Sequence, residues 1–344
     1  SLTLQQSMID STEDYRDCID RFLSAGVGLT NYNSFSVARD VETLRQAAGI
    51  EQWVLYGVSY GANYAMAIAA NYPNAVESMI LDSSFVSGIG LHEYYIEQTV
   101  RPFQMLYDYC VYDPNCVRPI DNFKERFWAV YRSLNDQPIW VDLFDIGGTS
   151  TVPVLLDGER FLSSVMEGAY DVQIFSDLPK IIIELENGDI EALGWYLWLH
   201  VDYLLDTKWG DVSAMTHYCY EQKPQIDYSK IREQFDQLPS GYLRDNAPLA
   251  LDWPDLCEQM QFRNNELHLV PGKQISVPTL FLHGNLDIVT PLSNVRRVLH
   301  YFERAHLLTF NLGHGILGYS YCASNSIEIF VKNPNVTRQQ IACP

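Results

Sequence analysis

The chain has 344 residues, 47% of them hydrophobic and 19% charged, with a formal net charge of −20 at pH 7. This composition excludes a disordered chain and allows one domain with a long insertion or two domains. The acidic balance excludes nucleic acid as a partner, because no basic stripe is present to neutralise phosphates. No apolar run reaches the length of a membrane span.

The N-terminal part of the chain predicts the start of an α/β fold. Apolar spacing predicts a helix over 36–48, with Ser36 as its N-cap and Gly49 at its C-terminal cap. Two runs of strand-forming residues follow, Trp53–Tyr56 and Val76–Phe85, with an alanine-rich helical segment between them. Strand, helix and strand at this spacing form a βαβ unit, so we expect a parallel sheet.

The segment between these strands contains Gly-x-Ser-x-Gly at Gly57-Val-Ser59-Tyr-Gly61. A strand before the motif and a helix after it are typical of a nucleophile elbow, whose strained turn projects the serine hydroxyl above the sheet. Gly57 and Gly61 suit that turn if strand and helix pass too close for larger side chains. Ser59 is therefore the predicted nucleophile, and the backbone N–H of Tyr60 is the predicted oxyanion donor. The alternative is an ordinary strand-to-helix turn that contains a serine.

The pattern changes after residue 85. Residues 86–272 are predicted to be a large, mainly helical cap, except for a β-hairpin near 139–156, where two strand-like runs flank a glycine pair. Alternating strands and helices return afterwards. The sequence thus predicts an α/β core made of residues 1–85 and 273–344, interrupted by the cap.

Two polar residues follow predicted strands in the last part of the chain, Asp287 and His314, the latter inside Gly-His-Gly. A serine nucleophile needs a base to accept its proton and an acid to fix the tautomer of the base. The ends of parallel strands meet at one edge of a sheet, so both residues can approach Ser59. The order serine, acid, histidine is that of α/β-hydrolases.

Other residues stay open for these roles. Asp82 also ends a strand and is the alternative acid, since some members of this fold place the acid there. Among the eight histidines, His283 is expected to be a packed residue, and His300 and His306 are expected to face solvent. The others fall in the predicted cap, where one could touch substrate: His92, His200, His217 and His268.

Several stretches carry a family resemblance: Leu55–Gly61, His283–Pro291, Gly313–Gly315 and the closing pair Cys322 and Cys343. They resemble the tripeptidyl aminopeptidase and proline iminopeptidase family of α/β-hydrolases, in particular its secreted, disulfide-containing branch. The resemblance implies a helical cap over an α/β-hydrolase core. It also implies a serine exopeptidase that removes a tripeptide or a single amino acid, proline included, from free peptide amino termini.

The same resemblance implies roles for further residues. It pairs the cysteines as three disulfides: Cys110–Cys116, Cys219–Cys257 and Cys322–Cys343. Bridges imply an oxidising compartment, so we expect a secreted or periplasmic protein. In this family a cap carboxylate often captures the substrate ammonium, and Glu221 is the position that matches best. The alternative for Glu221 is a solvated surface glutamate.

Some family features are not found. Members carry a Gly-Gly-Pro-Gly loop that supplies a second oxyanion donor, and this chain has none before residue 57. Strands that should pair beside Trp53–Tyr56 are also absent, and Cys18 aligns with a family cysteine whose partner lies upstream. Either an N-terminal fragment of the same protein accompanies this chain, with a disulfide through Cys18 as one way to link them, or the chain is a relative that lost the function.

Three functions therefore stay open. The first is a serine exopeptidase acting on peptides with a free amino terminus, the second a carboxylester hydrolase with the same triad, and the third a non-catalytic binding protein that keeps the fold. No metal or cofactor is expected, because HExxH, a P-loop and a complete GxGxxG are not found.

Overall fold

A computed structural model describes the following residues of the chain: 4–86, 104–108, 120–144, 151–205, 210–223, 229, 233, 255–262 and 274–341. The chain divides into a first compact unit, residues 1–99 with 210–344, and a second unit, residues 100–209. The predicted cap boundaries, 86 and 272, stay a prediction.

The secondary-structure elements are numbered in chain order within the described ranges. The strands are β1 (Trp53–Val58), β2 (Val76–Asp82), β3 (Ile139–Phe144), β4 (Thr151–Leu156), β5 (Thr279–Gly284) and β6 (Ala305–Phe310). The helices are α1 (Leu4–Ser24), α2 (Ser34–Ala47), α3 (Tyr60–Asn71), α4 (Phe123–Asp136), α5 (Gly158–Gly168), α6 (Gln173–Glu186), α7 (Glu191–Leu205), α8 (Asp211–His217), α9 (Leu292–Val298), α10 (Tyr321–Lys332) and α11 (Arg338–Ile341).

The first unit is built on a parallel sheet, as predicted. Its described strands lie in the order β1-β2-β5-β6. In the register, Val58 lies opposite Asp82, Asp82 opposite Leu282, and Gly284 opposite Phe310. The carboxyl ends of these strands are therefore level, which brings the loops that follow them to one edge of the sheet.

Helices pack on both faces of this sheet. On one face, alanines of α3 let the helix lie close to the strands, and Ala62, Ala65 and Ala69 are buried there. On the other face, Ala323 and Phe330 of α10 join a buried cluster of strand residues: Ile80, Leu280, Leu282 and Leu308. The sheet is thus sandwiched between helical layers, which is the arrangement of an α/β fold.

Helix α2 begins earlier than predicted. Its N-cap is Asn33, not Ser36: the Asn33 side chain accepts hydrogen bonds from the backbone N–H of Phe35 and of Ser36, both at 3.0 Å. Asn and Ser are both good N-caps, and the Asn33 side chain reaches the free N–H groups first. At the other end, Gly49 follows the C-cap with φ +66°, as expected for a glycine that ends a helix.

The first unit contains disulfide-bonded cysteines. Cys219 and Cys257 form the predicted bridge, with their Cα atoms 5.3 Å apart, inside a buried cluster that includes Ile19 of α1. Cys322 is also disulfide-bonded, whereas Cys18 is a free thiol within the described residues. The remaining predicted pairings involve positions outside the described residues: Cys110, Cys116 and Cys343.

The second unit is mainly helical. Helices α4 to α7 surround buried aromatic and aliphatic side chains that include Phe127, Phe161 and Phe175. Strands β3 and β4 pair antiparallel, from Ile139 opposite Leu156 to Phe144 opposite Thr151, within the range expected for a hairpin. Every helix in the described part of the chain is too short or too polar to cross a lipid bilayer.

Candidate active site

Ser59 has the backbone geometry of a nucleophile elbow. Its φ of 54° and ψ of −124° lie in a region that costs a non-glycine residue about 1–3 kcal/mol. Hydrogen bonds hold the turn: the Ser59 N–H donates to the Asp82 carbonyl at 2.9 Å, and the Ser59 carbonyl accepts from Ala62 and Phe85. The strain at Ser59 is therefore fixed by the end of β2 and the start of α3.

Among the described residues, the strand and the helix of this turn pass too close for a side chain at Gly57 but not at Gly61. A Cβ added to Gly57 would lie 2.5 Å from the carbonyl oxygen of Gly61 and 2.8 Å from the Cα of Ala62, which the backbone does not allow. A Cβ on Gly61 would meet no described atom within 4 Å. The expectation that Gly61 must also be small is wrong, because its missing side chain would point into open space.

Tyr60 is the first residue of α3. The first N–H groups of a helix have no partner within the helix, and the helix dipole gives them a partial positive charge. The Tyr60 N–H is directly adjacent to Ser59 in the chain. It therefore fits a donor to an oxyanion that forms on a carbonyl attacked by Ser59.

Asp287 and His314 are brought together at the carboxyl edge of the sheet. Asp287 follows β5, His314 follows β6, and His314 Nδ1 lies 3.0 Å from Asp287 Oδ2. The Asp287 carboxylate is fully buried and also accepts from the Thr290 hydroxyl at 2.7 Å and from the backbone N–H of Thr290 and Val289 at 2.8 and 2.9 Å. This carboxylate is held in one orientation.

Electrostatics keep Asp287 ionised. Burial raises the pKa of Asp287, but the hydrogen bond and charge of His314, the charge of His283 and the Thr290 N–H outweigh burial, so the net pKa is lowered. An ionised carboxylate only accepts hydrogen bonds, so the His314 proton is on Nδ1. In neutral His314, Nε2 then has a free lone pair and can act as a base.

Ser59 is tied to the His314 loop through the end of β2. The Ser59 N–H is bonded to the Asp82 carbonyl. The neighbouring Ser83 accepts a hydrogen bond on Oγ from the Gly315 N–H at 2.8 Å, and Gly315 directly follows His314. The elbow and the imidazole loop therefore share one anchor at the sheet edge.

Asp82, the alternative acid, binds backbone groups instead. Its buried carboxylate accepts hydrogen bonds from the N–H of Ile316 and of Leu317, each at 2.9 Å, and from the hydroxyl of Tyr56 at 2.9 Å. Asp287, by contrast, contacts the imidazole itself. The geometry thus favours Asp287 as the partner of His314.

Glu221 is not a surface residue. It is fully buried and lies in a π-helical turn, Tyr218–Gln222, next to the Cys219 bridge. Its carboxylate accepts from the Ser34 N–H at 2.7 Å, the Tyr60 hydroxyl at 2.6 Å and the Asn63 amide at 2.8 Å. Burial, and the charge and hydrogen bond of Glu221, raise the pKa of Tyr60 well above its usual value. Glu221 therefore contacts the residue that follows Ser59.

The other histidines have different surroundings. His283 is packed, as expected: it is buried, with Nε2 2.5 Å from the Thr290 carbonyl. His300 is exposed, but His306 is partly buried, against expectation, with Nε2 3.0 Å from the Val336 carbonyl. In the first unit, His217 is buried beside Tyr64. His200 lies in the second unit, while His92 and His268 lie outside the described residues.

Sequence profiles of known families match two parts of the chain. A profile described as "alpha/beta hydrolase fold" matches residues 10–109, and one described as "TAP-like protein" matches residues 249–343. Together the matched ranges cover more than half of the chain and contain Ser59, Asp287 and His314. The chain belongs to the α/β-hydrolases. Within them it is similar to TAP and proline iminopeptidase, as its motifs predict.

Known proteins match this α/β-hydrolase either over a short stretch or at low sequence identity. Proline iminopeptidases of Xylella fastidiosa, strains Temecula1 and 9a5c, are 34% identical over 58 residues, which is 17% of this chain and 18% of theirs. A thermophilic esterase from Thermogutta terrifontis shares 13% identity over 88% of this chain and 74% of that chain, with a TM-score of 0.36. Est816, described as an N-acyl homoserine lactone degrading enzyme, shares 16% identity over 83% and 70%, with a TM-score of 0.34.

The site of this α/β-hydrolase includes residues that motif analysis missed. Thr290 contacts Asp287, and Ser83 contacts both the Thr290 hydroxyl, through its carbonyl at 2.9 Å, and Gly315. Asp287-Ile-Val-Thr290 is a short pattern in which a carboxylate and a hydroxyl three residues on can share a turn, so Thr290 had a local signal. Ser83 had none, because its partners are more than 200 residues away.

In the ranges that the structure describes, no group of three or more His, Cys, Asp or Glu side chains is placed to hold a metal ion.

Proposed function

We propose that this α/β-hydrolase is a serine exopeptidase that releases residues from free peptide amino termini. The observation that carries the proposal is the contact between the buried Asp287 and the partly buried His314, whose Oδ2 and Nδ1 lie 3.0 Å apart, at the same sheet edge as the strained Ser59 elbow. The TAP-like match and the similarity to proline iminopeptidases support a peptide substrate. The released product is a tripeptide or a single residue, and the cleavage assay measures its length.

The proposed reaction has two steps. In acylation, His314 Nε2 accepts the Ser59 hydroxyl proton, Ser59 Oγ attacks the scissile carbonyl, and the Tyr60 N–H donates to the oxyanion. The imidazolium then protonates the leaving amine, and the C–N bond breaks. In deacylation, His314 accepts a proton from water as the water oxygen attacks the acyl-enzyme ester, and the imidazolium returns that proton to Ser59 Oγ as the ester C–O bond breaks. Asp287 stabilises the imidazolium in both steps.

Glu221 is the proposed acceptor for the substrate ammonium. Its carboxylate is adjacent to Tyr60, the residue that follows the nucleophile, and so is close to where the substrate's first residues would bind. The net charge of −20 further favours the approach of a cationic peptide terminus.

We also propose that the protein is secreted or periplasmic. Cys219 and Cys322 are disulfide-bonded, and disulfides persist in oxidising compartments.

The test is a cleavage panel read by mass spectrometry. Peptides with free amino termini, the same peptides acetylated at the terminus, and short carboxylic esters are incubated with the protein and with a Ser59→Ala control. We expect cleavage of the free peptides but not of the acetylated ones, and loss of this cleavage in the control. Hydrolysis of esters without peptides would make the protein a carboxylester hydrolase. Failure of a fluorophosphonate to label Ser59 would make it a non-catalytic member of the fold.

The role of Glu221 is tested in the same panel. Glu221→Gln keeps the shape and removes the charge, so loss of ammonium binding should raise KM for free peptides and leave ester hydrolysis unchanged. An equal loss on every substrate would assign Glu221 to holding Tyr60 and Asn63 in place instead.

A further inference from the structure

One residue at the end of β2 bonds to the nucleophile turn and to the base loop at once. The Asp82 carbonyl accepts the Ser59 N–H at 2.9 Å. The Asp82 carboxylate accepts the N–H groups of Ile316 and Leu317, both at 2.9 Å. Asp82 is fully buried, so water does not compete for these hydrogen bonds.

The next residue repeats this pattern. Ser83 is buried and has a φ of 45°, a left-handed conformation that is uncommon for serine. Its Oγ accepts the Gly315 N–H at 2.8 Å, and its carbonyl oxygen lies 2.9 Å from the Thr290 hydroxyl oxygen. Ser83 thus contacts both the loop that carries His314 and the loop that carries Asp287.

The loop that carries His314 needs such an anchor. Gly315 and Gly318 have φ values of 81° and 99°, and glycines leave a backbone free to adopt many conformations. The N–H groups after His314 bond successively to Ser83 and to Asp82: Gly315, Ile316 and Leu317. These contacts select one path for the loop relative to Ser59.

We infer that Asp82 and Ser83 are positioning residues that set the placement of His314 relative to Ser59. The inference rests on the proposed serine chemistry and deepens it, because proton transfer requires the imidazole at hydrogen-bond distance from the hydroxyl. A misplacement of about 1 Å can cost about 100-fold in rate. Asp82 acts here through the loop backbone and not as the acid of the triad.

The test uses the full chain with Asp82→Asn, Ser83→Ala and Ser78→Ala, and with Asp287→Asn for comparison of the two carboxylates. Ser78 is the matched control: it is buried on the same strand, and its hydroxyl has no partner among the described residues. The rate of Ser59 phosphonylation by a fluorophosphonate and kcat and KM on the best substrate are measured below all melting temperatures. Ser83→Ala keeps the inference testable if Asp82→Asn does not fold.

We expect kcat and the labelling rate to fall about 10–100-fold in Asp82→Asn and about 3–10-fold in Ser83→Ala, the scale of a displaced catalytic group. KM should stay at the wild-type value in both variants. Ser78→Ala should keep the wild-type kcat, KM and labelling rate. Lower melting temperatures with unchanged kcat and labelling would overturn the inference. So would a loss of about 10⁴-fold in Asp82→Asn with a mild effect of Asp287→Asn, since that would make Asp82 the acid. Wild-type protein that does not label at all would refute the serine chemistry itself, which is a different result.

Discussion

At the scale of single residues, the acid of the site is defined by the donors around it. A buried carboxylate is costly unless its oxygens are hydrogen-bonded. Asp287 meets that requirement with the Thr290 hydroxyl, two backbone N–H groups and His314. Thr290 therefore supports the tautomer on which the proposed base depends.

We predict that Thr290→Val lowers kcat about 10–100-fold with little change in KM, because a hydrogen bond to a charged group contributes about 1.5–3 kcal/mol. Valine keeps the shape and removes the hydroxyl. Thr290→Ser keeps the hydroxyl and should retain most of the activity. Steady-state kinetics of the three proteins check this, and equal rates for Val and Ser would contradict it.

His283 predicts a pH dependence of stability. Burial lowers the pKa of His283 below the usual 6.5, so the unfolded chain binds a proton at a higher pH than the folded one. The free energy of unfolding should therefore fall as pH decreases from about 7 through 6.5. Urea unfolding of wild type and of the non-titrating variant His283→Gln measures this. The slope should be smaller in His283→Gln, and identical slopes would refute the assignment.

At the scale of elements, the elbow depends on contact between β1 and α3. Gly57 is the point where a side chain would meet backbone atoms, and these cannot move without displacing Ser59. The helix itself begins where the strained turn ends.

We predict that Gly57→Ala lowers both the melting temperature and the labelling of Ser59, because the added Cβ forces strand and helix apart. A cost of about 1–3 kcal/mol is typical of overpacking. Gly61→Ala is the control, since its Cβ meets no described atom within 4 Å and alanine favours helix. Thermal melting and fluorophosphonate labelling report both effects. Comparable damage in the two variants would show that the elbow is not limited by this contact.

A disulfide anchors the element that carries Glu221. Cys219 and Cys257 are 38 residues apart, and a bridge of this kind typically contributes about 2–4 kcal/mol. We predict that replacing both cysteines by serine lowers the free energy of unfolding by about that amount and raises KM for free peptides more than kcat changes. Denaturant titration and kinetics check this, and an unchanged KM would separate the bridge from the Glu221 site.

At the scale of the whole molecule, one part of the sheet is uncovered. Val54, Tyr56 and Val58 of β1 are 38%, 45% and 41% exposed, whereas Ile80 on the neighbouring strand is 1% exposed. No strand pairs with the outer edge of β1 within the described ranges. Exposed apolar edges of this kind promote association with other strands.

We propose that an N-terminal fragment of the same protein covers this edge, and we predict a disulfide to it through Cys18, which is free within the described residues. Intact mass of the natural protein under non-reducing conditions should then exceed the mass of this chain and return to it on reduction. A Cys18→Ser variant should lose the added mass. A non-reduced mass equal to that of this chain, with Cys18 alkylated by iodoacetamide, would contradict the proposal.

How much the sequence predicts depends on the distance between interacting residues. The parallel sheet, the elbow at Ser59 and the Cys219–Cys257 bridge were all predicted, because strand and helix patterns are local and the family motifs are short. The predicted N-cap of α2 was wrong by three residues, since Asn33 and Ser36 are both competent caps and only the folded turn selects one. The open space beside Gly61 was not predicted, because the direction in which a Cβ would point there depends on how helix α3 packs on strand β1.

By itself, the sequence determined the chemical groups of this α/β-hydrolase and their order along the chain: a serine in a strand-to-helix turn, then a carboxylate and an imidazole after later strands. Only the tertiary structure decided between Asp287 and Asp82 as the partner of His314, and only it showed that Glu221 is buried beside Tyr60. The physical reason is that hydrogen-bond partners more than 150 residues apart meet only when the strands align their ends.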